Sequence, residues 1–283
     1  MREEGKFPFA GDEGEEENNL ELAFLPPVLC QLSLPRSRQE GQEFIRRSGD
    51  AWLVVQAGYL DEGNGPVLQT VPYGPMARLV LAYVLTQAKR FDSKEIKVGK
   101  NPSQFIELVG INGKDGRRYS KLSEQLKALA ASRIQYGRSG VTVSPAPPIK
   151  SFFHWRNGEI WPGVVELSDE LFHNLKASAV PLDYQALLSL SDSSLAMDIY
   201  TWLSTRLHQI HKKKPVVVYW HNLLEQFGQE YQGKDRAKDF QKRFLPALYK
   251  AMEAYPRAKV REVTGGLLLL FSPSPIKYLV KSL

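Results

Sequence analysis

The chain has 283 residues, which is enough for two ordinary domains that each bury a core. Its hydrophobic fraction of 43% is that of a globular protein, and no apolar run approaches the roughly 20 residues that cross a bilayer. The single cysteine, Cys30, excludes a disulfide framework and a thiolate metal site, so we expect a soluble cytoplasmic protein.

The formal net charge of +6 is unevenly distributed along the chain. Residues 1–66 hold 6 basic and 13 acidic residues, a net charge of −7. The remaining residues hold 31 basic and 18 acidic residues, a net charge of +13. A basic body attracts polyanions, although a basic surface without a special partner is the alternative at this point.

The N-terminal part divides into a leader and an extension. Residues 1–19 are rich in acidic residues and glycine and almost free of apolar ones, which predicts a disordered leader. The next residues, 22–34, carry Pro26 and Pro27 and cannot form one helix. Residues 52–57 read as a strand. We assign this extension, with the elements that follow it, to a first domain of residues 20–180.

The first domain has a clear order of elements from residue 73 onward. The sequence predicts a helix over 75–90, a strand near 96–98, a short helix capped by Asn101, and an amphipathic helix over 119–132. Two hairpins follow, one joining strands at 134–136 and 141–143, the other turning at Asn157-Gly158. The order is helix, strand, helix, helix, hairpin.

The same order recurs in residues 181–283, which we assign to a second domain. The predicted elements are a long helix after Asp192 or Ser193, a strand at 216–219, a short helix at 222–227, a long helix at about 235–255, and a hairpin turning at 264–266. Pro246 lies inside the last helix and predicts a kink or a late start.

The two halves align with a constant offset of 118 residues, which indicates a duplicated domain. Residues 105–110 fall on 223–228, both ending in glycine, and Arg118 falls on Arg236. Leu122 and Leu126 fall on Phe240 and Phe244. The predicted fold class is therefore α+β, with two tandem winged-helix domains, each a helix-turn-helix followed by a β-hairpin wing.

Motifs for catalysis are absent from the sequence. There is no G-x-x-x-x-G-K-[ST] phosphate loop, so nucleotide hydrolysis has no support. His208 and His211 are three residues apart, which is more typical of a helix surface than of a metal site without further ligands. We expect no enzymatic activity, no cofactor and no metal.

The helix-turn-helix order favours binding to double-stranded DNA, because an α-helix fits the major groove. Each candidate recognition helix carries leucines or phenylalanines on one face and cations on the other. Ordinary solvated helix faces are the alternative, but the recurrence behind two short glycine-ended helices favours DNA. The candidate DNA-binding residues on these helices are Arg117, Arg118, Ser120 and Lys121 in the first half, and Arg236, Lys238, Gln241, Lys242 and Arg243 in the second. The wing candidates are Arg133 and Arg138 on the first hairpin, and Lys259, with Arg257 and Arg261, on the last.

Several strings resemble the plasmid-encoded RepA replication initiators. They are PYGPMARL at 72–79, EIKVGK at 95–100, MDIYTWLSTR at 197–206, QFG at 226–228, AYP at 254–256, GGLLL at 265–269 and SPSP at 272–275. The resemblance implies tandem winged helices that bind repeated sites at a plasmid origin and recruit the host initiator and helicase. For related initiators it also implies a dimer that represses its own promoter and a monomer that occupies the origin.

The resulting interpretation is a plasmid replication initiator that binds repeated double-stranded DNA sites. One alternative is a winged-helix transcriptional regulator without a role in initiation, and a less favoured one is a DNA-nicking enzyme. Tandem direct repeats beside the gene would favour the initiator, whereas a lone palindrome would favour a repressor.

Overall fold

The computed structural model describes residues 21–61, 65–111, 116–138, 141–153 and 163–276, and has a mixed α+β fold as predicted. The leader and the Asn157-Gly158 turn lie outside the described residues. The helices are α1 (Pro27–Gln31), α2 (Gly74–Phe91), α3 (Pro102–Leu108), α4 (Gly116–Ala131), α5 (Asp169–Ser178), α6 (Tyr184–Ser189), α7 (Ser194–Arg206), α8 (Trp220–Phe227) and α9 (Arg236–Ala254). The strands are β1 (Leu22–Leu25), β2 (Glu43–Ser48), β3 (Ala51–Gln56), β4 (Tyr59–Asp61), β5 (Pro66–Leu68), β6 (Glu95–Lys97), β7 (Arg133–Arg138), β8 (Val141–Ala146), β9 (Ile149–Phe153), β10 (Val164–Leu167), β11 (Val180–Asp183), β12 (Val216–Tyr219), β13 (Val260–Val263) and β14 (Gly266–Leu269).

Two units repeat the predicted order of elements. The first unit comprises α2, β6, α3, α4, β9 and β10, and the second comprises α7, β12, α8, α9, β13 and β14. In each unit the strand that follows the first helix pairs with the last strand of the hairpin, which gives the sheet orders β6-β10-β9 and β12-β14-β13. Adding 118 to the bounds of α3 gives 220–226, which coincides with α8 to within one residue. The order of elements therefore repeats in the two units, except that β7 and β8 lie between α4 and β9 in the first unit.

Local capping sets the beginnings of the helices. The Asn101 side chain accepts a hydrogen bond of 2.9 Å from the Gln104 backbone N–H at the start of α3. The Ser193 hydroxyl accepts one of 3.2 Å from the Ala196 N–H at the start of α7. Gly110 adopts φ +77° just after α3, a conformation that favours glycine.

Pro246 lies within α9, which is assigned as one helix from Arg236 to Ala254. Its side chain is exposed, so the pyrrolidine ring meets solvent and not the core. The helix therefore starts at the predicted place and not after the proline. The candidate DNA-binding residues of α9 all precede Pro246, in the first two turns and a half.

The first predicted hairpin belongs to another sheet, and this corrects our placement of a wing. Strands β7 and β8 form part of a four-stranded sheet in the order β2-β3-β7-β8. Trp52 on β3 lies opposite Gly137 on β7, and a side chain at Gly137 would come within 2.6 Å of the Trp52 ring. Strand β7 therefore pairs with β3 and β8 and is not part of the β6-β10-β9 sheet of the first unit. The hairpin equivalent to β13–β14 is β9–β10.

The two units share one continuous hydrophobic core. Helix α2 contacts α7, and strand β1 of the extension pairs with β11, with Leu22 opposite Asp183. The predicted domain boundary between residues 180 and 181 falls inside β11. The extension therefore lies against residues from both sides of that boundary.

Candidate nucleic-acid interface

Helix α9 of the second unit has one apolar and one basic face. Phe240 and Phe244 are fully buried, with ring centroids 5.1 Å apart. Phe244 also lies 5.6 Å from the Phe227 ring of α8, centroid to centroid. Packing of these three rings fixes α9 against α8 and turns its other face toward solvent.

The exposed face of α9 carries most of the candidate DNA-binding residues. Arg236, Lys238, Lys242 and Arg243 are exposed, and Gln241 is half-buried. Residues 234–243 contain five cations and two carboxylates. The surface of these two and a half turns is therefore positive, which suits a polyanion.

Helix α4 of the first unit is built in the same way. Leu122, Leu126 and Leu129 are buried at 0–1% exposure. The predicted contact residues Arg117, Arg118, Ser120 and Lys121 are all exposed, in the first turn and a half of the helix. Ser120 lies opposite the leucine stripe, and the other three lie at its sides or one turn before it.

The basic helix α4 is attached to the start of α2 through Tyr73. The Tyr73 backbone N–H donates a 2.8 Å hydrogen bond to Gln125 Oε1, and its hydroxyl donates one of 3.2 Å to Glu124 Oε1. Burial and the Glu124 carboxylate both raise the pKa of the Tyr73 hydroxyl, so it remains a donor. Glu124 and Gln125 therefore position α4.

The last hairpin, formed by β13 and β14, has basic residues on and next to its first strand. Lys259 is exposed, and its backbone N–H donates a 2.9 Å hydrogen bond to Ser272 Oγ. Arg257 is half-buried and donates to the Ser274 carbonyl, whereas Arg261 is exposed on β13 itself. This hairpin has the place of the predicted wing in the second unit.

Arg133 and Arg138 are exposed, but they lie at the two ends of β7 in the four-stranded sheet. Arg133 is opposite Gln56 and Arg138 is opposite Ala51, both on β3. Arg138 also approaches Asp50, with Nε 3.5 Å from Oδ1, and borders a cleft of about 640 Å³ between this sheet and α7. The structure therefore does not bring these two arginines onto the hairpin that corresponds to β13–β14.

The described residues form neither a metal-binding cluster nor a membrane-spanning helix. The part of the chain that the structure describes contains no group of three or more His, Cys, Asp or Glu side chains arranged to hold a metal ion. Within the same residues, no helix is long and apolar enough to span a membrane.

A family model matches part of the chain. The family described as plasmid-encoded RepA protein matches residues 153–222, which run from β9 to the start of α8. This match confirms the resemblance to RepA proteins and supports a replication initiator. No curated protein matches the sequence.

The fold is similar to solved structures of RctB. A crystal structure of domains 2 and 3 of RctB matches with a TM-score of 0.52 and 12% identity, over 88% of this chain and 99% of that chain. A second structure of the same RctB domains matches with a TM-score of 0.48 and 12% identity, over 86% and 94%. At this identity the likeness to the first structure concerns the fold alone.

Proposed function

We propose that the chain is a plasmid replication initiator that binds repeated double-stranded DNA sites through two winged-helix units. The single observation that carries the proposal is the basic surface of α9, where Lys238 and Lys242 are exposed opposite the buried Phe240 and Phe244, and Arg236 and Arg243 are exposed beside them. The repetition of this arrangement in α4 and the match to the RepA family support it.

Helix α9 is the main recognition helix in this proposal. A helix of its diameter fits the major groove of B-DNA, where arginine reads guanine and glutamine reads adenine through paired hydrogen bonds. Arg236, Gln241 and Arg243 supply these groups, and Lys238 and Lys242 supply phosphate contacts. Lys259 beside the hairpin adds a contact to the backbone.

Helix α4 has the corresponding role in the first unit. Arg117, Arg118 and Lys121 contact phosphates of a second groove segment, and Ser120 is a neutral donor or acceptor for a base edge or a phosphate. The resemblance to RepA extends the proposal in two ways. The protein recruits the host initiator and helicase, and its dimer represses its own promoter. The protein carries out these steps without catalysis of its own.

The salt dependence of DNA binding tests this proposal. Lys238→Gln combined with Lys242→Gln removes two phosphate contacts, so the slope of log K against log salt should flatten by up to about two units. The matched control is Lys176→Gln combined with Lys250→Gln, which removes the same charge from exposed lysines paired with Asp92 and Asp192. A slope that changes equally in both double variants contradicts the groove-facing assignment of α9.

A further inference from the structure

The turn between α8 and α9 is held by a distant part of the chain. We call residues 31–47, which run from the end of α1 into β2, the N-terminal clasp. Glu230 lies in the turn and receives hydrogen bonds from this segment, although the two are almost 200 residues apart in sequence. The helix-turn-helix of the second unit is therefore braced by residues that precede the first unit.

Two arginines of the clasp bind the Glu230 carboxylate. The Arg36 backbone N–H donates to Oε1 at 3.0 Å, and its Nε donates to Oε2 at 2.9 Å. Arg46 Nη2 donates to Oε1 at 3.2 Å. Both carboxylate oxygens are used, and charge-assisted hydrogen bonds of this kind are the stronger ones in proteins.

Further contacts hold the end of α8. The Gln226 side chain donates a 3.0 Å hydrogen bond to the Gln31 carbonyl, and the Gln229 side chain donates one of 3.0 Å to the Arg47 carbonyl. Arg36 also donates to the carbonyl of Phe227, the last residue of α8. The clasp therefore contacts both the C-terminus of α8 and the turn that follows it.

The two clasp arginines that bind Glu230 have little exposure to solvent, so the loss of a partner would leave a largely buried charge uncompensated. The Arg46 side chain is 1% exposed and that of Arg36 is 9% exposed. Arg36 Nη1 and Arg46 Nε have no hydrogen-bond partner among the described residues. A buried guanidinium that lost the Glu230 carboxylate would keep its desolvation cost with less compensation.

We propose that Glu230 is a positioning residue for the recognition helix α9, and that the clasp fixes the orientation of α9 relative to the first unit. Removal of one partner from a buried ion pair is strongly unfavourable, because it leaves an uncompensated charge, so geometries that break the Glu230 contacts are disfavoured. A fixed geometry lets α4 and α9 bind one DNA site at a defined spacing. The DNA part of this proposal rests on the proposed function, whereas the orientation of α9 does not.

The first experiment measures orientation without DNA. Nitroxide labels are placed at Glu170→Cys on α5, which packs against α2 of the first unit, and at Tyr249→Cys on α9, because both positions are exposed. Pulsed electron spin resonance then measures the distance between α9 and the first unit. The native Cys30 is 2% exposed, and burial raises the pKa of its thiol to about 12, so it stays unlabelled. Glu230→Gln should broaden the distance distribution, and Asp192→Asn, which breaks an exposed pair with Lys250, should leave it unchanged.

The second experiment measures binding to a DNA repeat found beside the gene. If the binding-competent orientation falls to about a tenth of the population, Glu230→Gln binds about tenfold more weakly, because apparent affinity scales with that fraction. Insertion of five base pairs within the repeat, about half a helical turn, should weaken the wild type far more than this variant. If Glu230→Gln does not fold by circular dichroism, Arg36→Lys replaces it, since lysine keeps the charge and loses the paired geometry.

The outcomes separate the two proposals. A distance distribution in Glu230→Gln, or in Arg36→Lys where that variant is used, identical to that of the wild type overturns the positioning role of Glu230. Equal sensitivity of wild type and variant to the five-base-pair insertion also overturns it. A wild type that does not bind the repeat refutes the proposed function, while the label distances still decide the orientation of α9.

Discussion

Arg78 on α2 and Asp198 on α7 form a bidentate salt bridge between the two units. Arg78 Nε lies 2.7 Å from Oδ1, and Nη2 lies 2.9 Å from Oδ2. Asp198 is 3% exposed, and Arg46 approaches its other side with Nη1 3.9 Å from Oδ2. Both partners of the main pair belong to strings that resemble RepA, PYGPMARL and MDIYTWLSTR. These strings therefore build the joint between the units and not the basic helix faces.

Removal of the Asp198 carboxylate should strongly destabilise the protein. Asp198→Ala leaves the buried Arg78 and Arg46 without this counter-ion, and breaking such a pair costs about 3–5 kcal/mol. Urea unfolding followed by circular dichroism measures the loss of free energy of unfolding. Asp192→Ala, at an exposed pair with Lys250, is the control and should stay within about 1 kcal/mol of the wild type. A loss at Asp198 no larger than at Asp192 would show that the joint does not depend on this pair.

The aromatic face of α9 should contribute a large part of the stability of the second unit. Phe240 is 0% exposed and its ring lies 5.7 Å from that of Tyr231, centroid to centroid. Phe240→Ala should lower the free energy of unfolding by about 3–5 kcal/mol, because it removes buried surface and leaves a cavity. Tyr249→Ala, on the exposed side of the same helix, should change it by no more than about 0.5 kcal/mol. Similar losses of stability in the two variants would contradict the assignment of Phe240 to the buried face of α9.

Alkaline pH should weaken the fold through buried tyrosines. Burial raises the pKa of Tyr83 from its ordinary value of 10.0 to about 12, and burial also raises the pKa of Tyr184 and Tyr200. Below pH 10 the folded and unfolded states both keep the Tyr83 proton. Between about pH 10 and pH 12 only the unfolded state releases it, so the free energy of unfolding falls as pH rises.

Urea unfolding at pH 9 and pH 11 tests this pH dependence. Tyr83→Phe should reduce the difference in stability between the two pH values, because phenylalanine has no proton to lose. Tyr249→Phe is the control at an exposed position, 54% of which is accessible. If Tyr83→Phe keeps the full difference in the free energy of unfolding between pH 9 and pH 11, burial of the Tyr83 hydroxyl does not cause the pH dependence.

Local patterns in the sequence predicted the elements better than their pairing. Asn101 and Ser193 caps, the Gly110 stop and the apolar spacing of α4 and α9 all act within a few residues, so they can be recognised from the sequence. The partner of a strand is not encoded locally. The hairpin β7–β8 was therefore assigned to the first unit, although β7 pairs with β3, about 80 residues earlier.

In the candidate site, too, local features could be predicted from the sequence and long-range contacts could not. Exposure of Lys238 and Lys242 could be predicted, because both lie opposite the Phe240 and Phe244 stripe of the same helix. The Arg36–Glu230 contact could not, since it joins an irregular segment to a turn and neither has periodicity. Burial of arginines in that joint depends on tertiary packing, which no spacing in the sequence reveals.

The most direct test of sequence-specific DNA binding, the central claim, is an affinity measurement on the DNA that flanks the gene. Affinity is compared, at one fixed physiological salt concentration, for a fragment carrying tandem repeats of that DNA and for a fragment of equal length and composition with the repeats scrambled. The account predicts tighter binding to the repeats by about a thousandfold or more, the usual margin of specific over non-specific binding. Equal affinity for the two fragments would contradict it.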